Sequence, residues 1–460
     1  MDRDHVIARQ VHGRHGLTAA LLVALPLWAV NAVAAAADRE VLIAGHVAQF
    51  DSEGKLLPWT DWSSALEREL AFYRDAPRDH GYPRFVTETF LQADWSPDPS
   101  RLDLIPATQN GMGIVSYLKL FARGDSHAQD DLSIAESMGD YLLKESLTPE
   151  SGSYPRFTRS TGRRGQLPLA ADAGSENDHA FEIEPDKGGI AGYALARLYA
   201  ATHEPRYLEQ ALHNARVLAA HQQPGDGTHS PWPFRVDYRS GIGRGAISSD
   251  MVYILRLYDE LLAQGHEEFQ ASRESLWHWI KHYQIPSARA GGLLFAQFFE
   301  DHDNPTNRNA WAPLNLARYL LERRSELDAD WQADAGALIQ FVRRTFTHQE
   351  FGVTVCHEQD EDLDAWGGVS STYGAVLALY ARAIDSAALA DEAWRALNFT
   401  LYNIDEQGRP RDLFKRPAPG GWQEDAHTDV IHNYLDALQA YPAWAQAGAH
   451  GHSNPTPTNP

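Results

Sequence analysis

Two kinds of helical segment alternate along this chain after about residue 109, and that alternation restricts its fold more than any single motif. Residues 188–201 are apolar nearly all the way round, with Arg197 as the one charge. A helix without a polar face must be enclosed on every side. Residues 204–222 differ: Leu208, Ala211, Leu212, Ala215, Leu218 and Ala219 form one stripe, with Glu209, Gln210, Asn214 and Arg216 off it. That is the pattern of a helix with one face in solvent. The couplet returns at 369–384, where Arg382 is the sole charge, followed by 388–401, whose stripe is Ala390, Trp394, Leu397 and Leu401. Further couplets are 109–121 with 126–146, 246–262 with 267–283, and 309–321 with 328–346. Enclosed helices recur roughly every 60 residues, the spacing of repeated helical hairpins.

The last enclosed segment, 426–441, has no helical partner after it, because a Gly-, Pro- and Asn-rich tail follows. The early amphipathic segment 62–73 is its natural partner. Pairing them closes a ring of six hairpins, with enclosed helices inside and amphipathic helices outside. An open solenoid would instead expose a capping face at each end. Connectors from enclosed to amphipathic helices are a few residues long, whereas those in the other direction, such as 148–187, 224–245 and 348–368, are long. All long loops then gather over the N-termini of the inner helices, and irregular loops on a rigid scaffold are where sites are built.

With 43% hydrophobic residues in 460, disorder as the main state is excluded. A formal net charge of −22 repels nucleic acid and anionic lipid. Arg3, Arg9 and Arg14 precede an apolar run over 17–30 and a small-residue patch over 32–37, which reads as an export signal cleaved near Ala37. Pro26 within the run and Asn31 directly after it argue against an uncleaved anchor, so no stable membrane insertion is expected. The expected organisation is a signal peptide (1–37), one domain (38–445) and a disordered tail (446–460). Cys356 is the single cysteine and can form no intrachain disulfide.

Six helical hairpins with Trp- and Asp-bearing loops on one face resemble the (α/α)6 toroid of the six-hairpin glycosidase and polysaccharide-lyase superfamily, an all-α fold. The resemblance covers roughly residues 59–444 and is architectural, without the catalytic motif of a named family. Terpenoid and lanthionine cyclases share such toroids. The chain has no DDxxD or DxDD run, however, and one cysteine cannot supply a Cys-Cys-His zinc site. The resemblance implies an exported carbohydrate-active enzyme on an oligo- or polysaccharide, with no cofactor and no metal.

Glu182, Glu184 and Asp186 alternate along an extended approach to the 188 helix, so at least one should point into the ring. They could equally complement the helix N-terminus. Pro231-Trp232-Pro233-Phe234-Arg235-Val236-Asp237 offers Trp232 and Arg235 as a sugar platform, or as a loop folded on its own aromatic cluster. The stretch 300–311 gathers Asp303, Asn307, Arg308 and Trp311 before an inner helix. Asp360, Asp362 and Asp364 have calcium-like spacing, but Ala365 and Ser371 occupy the sixth and twelfth places where a calcium loop needs Gly and Glu. Asp364 is the candidate carboxylate there, beside Trp366 and leading to Tyr373. Asp425, Asp429 and His432 share one helix face, preceded by Trp422.

A glycoside hydrolase needs two carboxylates with separated pKa values, drawn from Glu184, Asp186, Asp303, Asp364 and Asp429. A polysaccharide lyase would use Tyr373, His432 or Tyr434 as base, with Asn307 and Arg308 neutralising a uronate. A sugar epimerase and a non-catalytic glycan-binding protein are further alternatives. At least two of Trp232, Trp311, Trp366 and Trp422 are expected to face one cleft.

Overall fold

The computed structural model describes residues 41–83, 105–161, 181–298, 304–410 and 431–446. The inner helices are α2 (Pro106–Ala122), α4 (Pro185–Thr202), α6 (Val252–Ala263), α8 (Trp311–Arg323), α10 (Gly367–Ile384) and α12 (His432–Ala440). The outer ones are α1 (Trp62–Asp75), α3 (Ala128–Glu145), α5 (Pro205–His221), α7 (Gln270–Trp279), α9 (Trp331–Thr345) and α11 (Ala387–Leu401). Each inner helix packs on the next, from α2 through α4, α6, α8 and α10 to α12, and α12 returns to α2. The chain is an (α/α)6 toroid. Two bounds differ from the sequence expectation. The α6 helix starts at Val252, six residues later than its apolar pattern, and α7 passes into a π-turn over Ile280–Gln284. The expected signal peptide and all of the tail beyond Gln446 lie outside the described residues.

The ring closes as the amphipathic ends require. Asp61 caps α1, its carboxylate accepting from Ser64 N at 2.8 Å. Trp62, the first residue of that helix, is fully buried and presents its ring edge-on to Tyr434 of α12 and to Trp444, at 4.9 and 5.5 Å between centroids. Its indole N–H donates to Asn398 Oδ1 of α11 at 2.9 Å. The first helix is therefore joined to the last by packing and to the outer helix α11 by a buried hydrogen bond.

Small residues set how closely the inner helices approach. A Cβ on Gly189 of α4 would meet Ile254 Cγ1 of α6 at 2.6 Å and Ile254 N at 3.0 Å. Helix propensity alone would make Gly189→Ala stabilising by about 1 kcal/mol. Overpacking against a backbone atom opposes it by about 1–3 kcal/mol. The expected outcome is a net loss of stability, read as a lower urea midpoint with an unchanged slope; a gain would mean that α4 and α6 can separate freely.

Of the five small antiparallel sheets among the described residues, a β component that the all-helical reading omitted, two are three-stranded and lie in the long connectors. In one, β1 (Glu182–Ile183), β2 (Arg235–Asp237) and β3 (Gly243–Arg244) join the approaches to α4 and α6. In the other, β4 (Thr347–Glu350), β5 (Val353–Gln359) and β6 (Asp362–Ala365) form a meander before α10. Both precede inner helices, at the end where the long loops gather. No helix among the described residues is long and apolar enough to cross a membrane.

Candidate active site at the inner-helix N-termini

Pairing of β1 with β2 sets Glu182 opposite Asp237 and Ile183 opposite Val236, which brings Arg235 to the start of α4. Arg235 is 1% exposed, and its Nε donates to Glu184 Oε1 at 2.9 Å. The guanidinium lies over the Phe234 ring at 4.7 Å. Glu184 is the N-cap residue of α4, with its own N–H donating to Ser160 Oγ at 2.7 Å. Of the candidate acids, Glu184 is thus held in a buried ion pair. Glu182 extends the same network, accepting from Arg244 Nη2 at 3.0 Å.

Asp186 and Lys187 follow in the first turn of α4, both fully buried, with 3.7 Å between Lys187 Nζ and Asp186 Oδ2. The ammonium also sits 3.7 Å over the Phe298 ring. In the neighbouring sector Asp250, just before α6, is 1% exposed. Asp250 Oδ2 accepts from Asn315 Nδ2 of α8 at 3.2 Å, while Oδ1 is buried without a hydrogen-bond partner. Burial pushes the Asp250 carboxyl up to about 7, with Asp186 adding to the rise and Lys187, the Asn315 hydrogen bond and Arg256 opposing it. Three inner helices therefore bring one carboxyl that keeps its proton near neutrality to a second carboxylate beside a cation. Asn309 supports the cluster: its Nδ2 donates to Ser249 Oγ at 3.1 Å and its Oδ1 accepts from Ala312 N at 2.8 Å. Further round, Arg318 donates to Asn433 Oδ1, and Asn433 Nδ2 donates to Ser371 and Thr372 hydroxyls at 2.8 and 2.9 Å.

Sequence reasoning missed Asp250, Asn315, Arg318 and Asn433. Residues 246–262 read as one helix, which put Asp250 inside a helical stretch and not at its mouth. The available signal was Ser248-Ser249-Asp250, a polar cluster of the kind found before other inner helices.

The remaining candidates occupy other settings. Trp232 is fully buried, its Nε1 donating to Leu218 O at 3.1 Å, so its ring is core and presents no face to a ligand. Trp311 and Trp366 are also buried, bonded to Glu358 Oε1 at 2.8 Å and Asp362 Oδ2 at 3.1 Å. Arg308 is clamped on Asp360 through Nε and Nη2, both at 2.8 Å, which also holds the Asp360 carboxyl below its usual range despite partial burial. Asn307, 3% exposed, donates to Gln359. The Tyr373 hydroxyl donates to Glu392 of α11 at 2.5 Å, and burial pushes that phenol up. Tyr434 bonds Thr400 Oγ1 at 2.7 Å, facing outward in the same way. His432 lies inside the ring, its Nε2 3.1 Å from Lys119 Nζ.

Asp364 is half-buried on β6, away from the α4 and α6 cluster in sequence and element. Asp303, Asp429 and Trp422 lie outside the described residues. Cys356 is fully buried, and its thiol is pushed up by burial, the opposite of a reactive cysteine. Among the described residues no group of three or more His, Cys, Asp or Glu is placed to hold a metal ion.

No family model matches the chain, and no curated protein is a significant match. Solved structures do resemble it. A family 76 glycoside hydrolase from a bovine Bacteroides thetaiotaomicron strain is 12% identical, with 84% of this chain and 78% of that one covered at a TM-score of 0.54. A sugar epimerase from a ruminal bacterium is 11% identical, with 82% and 99% covered at 0.59. Cellobiose 2-epimerase from Spirochaeta thermophila is 13% identical, with 83% and 96% covered at 0.56. At such identities the likeness is one of fold: the chain shares the (α/α)6 toroid of these proteins.

Proposed function

We propose that the chain is an exported carbohydrate-active enzyme, a glycoside hydrolase on an oligo- or polysaccharide, with Asp250 as general acid. The observation that carries this reading is the Asp250 carboxyl, buried at the inner-helix N-termini and protonated up to about pH 7. Asp186, with the Lys187 ammonium 3.7 Å away, takes the ionised role. Asp250 would give its proton to the leaving glycosidic oxygen, while Asp186 activates water or attacks the anomeric carbon; water ends as the new hydroxyl on that carbon. Glu184, fixed by Arg235, positions the α4 N-terminus that carries Asp186. Both acids are buried, so a substrate must displace part of their cover to reach them. The toroids of a glycoside hydrolase and of two epimerases support sugar chemistry as a class, and fold alone does not choose the reaction.

The lyase alternative draws less support, because Tyr373 and Tyr434 bond the outer layer and Arg308 is engaged by Asp360. The test is a polysaccharide panel followed by reducing ends, ultraviolet absorbance and sugar composition. New reducing ends without absorbance are expected. Absorbance would mean elimination, and a changed sugar without chain cleavage would mean epimerisation; either would sink the hydrolase reading.

A further inference from the structure

A cavity of about 260 Å³ lies among the inner helices, lined by residues of α2, α4, α6, α8 and α12 with Asn315 among them. Its outer part carries Arg197 of α4 and Glu322 of α8, with side chains 50% and 42% exposed. Deeper in, the lining carries Lys119, Arg256 and Arg318, so four cations face one carboxylate.

The acids nearby do not balance this charge. Glu322 accepts from Arg256 Nη1 at 2.7 Å. Asp436 is shared, accepting from Lys119 while lying 3.6 Å from Arg318 Nε and 3.8 Å from His432 Nε2. Glu260 reaches only to 3.6 Å from Arg197. Arg318 Nε is buried without a hydrogen-bond partner. The field inside is positive enough to act on its own lining: His432 is held well below its usual pKa by burial and then by Lys119, Arg318 and Arg256. Tyr193 and Tyr253 supply ring faces on the same wall, 6.3 Å apart between centroids.

We infer that this cavity is a second binding site, for an anion about the size of one sugar ring that carries a carboxylate or phosphate. The cations would hold the acid group through charge-assisted hydrogen bonds, the strongest kind available to a protein. The tyrosines would cover the ring of the ligand. The volume lies just under the range for drug-sized ligands, roughly 300–1,000 Å³, so the part of a ligand held inside is small. Asn315 and Arg256 border both this cavity and Asp250, and the binding proposed here does not depend on which reaction the Asp186 and Asp250 cluster performs.

Isothermal titration calorimetry of the full chain with glucuronate, glucose 6-phosphate and glucose tests this without turnover. At least one acid is expected to bind, and glucose at least about tenfold more weakly. Binding of one acid and not the other names the acid group. Lys119→Met should weaken that acid about tenfold and Arg197→Gln severalfold, with circular dichroism unchanged. Glu322→Gln should tighten it severalfold, since it removes the one lining carboxylate, an effect that damage to the fold would not produce. Equal binding of glucose, no heat with either acid, or unchanged binding in Lys119→Met and Arg197→Gln would overturn the assignment.

Discussion

Replacing Asp250 by Asn is expected to lower turnover of a cleaved glycan by about 10²–10⁴-fold. Asn keeps the shape of the carboxyl and its place beside Asn315, and it removes the proton that the leaving oxygen needs. In the unaltered protein the acid is active while protonated, so activity should fall as pH rises through about 7. Stability follows the same group in the same direction. The folded pKa is raised above the unfolded carboxyl value, near 3.9, so the folded state holds the proton more tightly. Asp250 therefore favours folding below that window, and the benefit is lost as pH climbs from about 4 to about 7, by roughly 4 kcal/mol at most. The Asn variant should escape this loss and be more stable than the unaltered protein above pH 7. Calorimetric melting of both proteins across pH 5–9 checks the sign; parallel curves would show that Asp250 ionises normally.

Arg235→Ala is expected to destabilise the protein by about 3–5 kcal/mol, because it leaves the Glu184 carboxylate buried without its strongest cation. Both side chains are 1% exposed, so water cannot take over the role of the guanidinium. The packing over Phe234 is lost at the same time. Arg235→Lys should recover only part of the stability, since an ammonium lacks the planar fork that reaches Glu184 from β2. Urea unfolding reads both values. A loss below about 1 kcal/mol for the Ala variant would show that the pair is solvated in solution.

The ring itself was legible in the sequence because enclosure leaves a periodic mark. An inner helix such as α4 has no room for charge on any face, and an outer helix such as α5 has room on one. Closure through Trp62 and the last hairpin followed from counting segments that lacked a partner. The site was less legible for a related reason. The apolar pattern over 246–262 runs through Asp250, and only the structure breaks it, with α6 beginning at Val252. Periodicity cannot mark where an enclosed helix starts when the approach to it is buried as well.

The aromatic loops misled in the opposite direction. Trp232 sits between prolines like an exposed platform, yet its ring fills the space beside α5 and its N–H satisfies Leu218 O. Charge pairing over long sequence separations was invisible too. Arg308 looks available for a uronate until Asp360, 52 residues on, is found against it. Asp186 was legible as a residue entering an inner helix, and the structure places it in the first turn of α4. Asp250, whose carboxyl feels the Asp186 charge, comes from the next sector, a relation set by the packing of α4 on α6.

The most direct measurement is a carbon-13 NMR titration of the Asp250 carboxyl, assigned by comparison with the Asp250→Asn variant. Titration near pH 7 is the predicted result and would identify the proton donor in place. Titration below about pH 5, in a protein that still cleaves its glycan, would contradict the assignment of Asp250 as the acid.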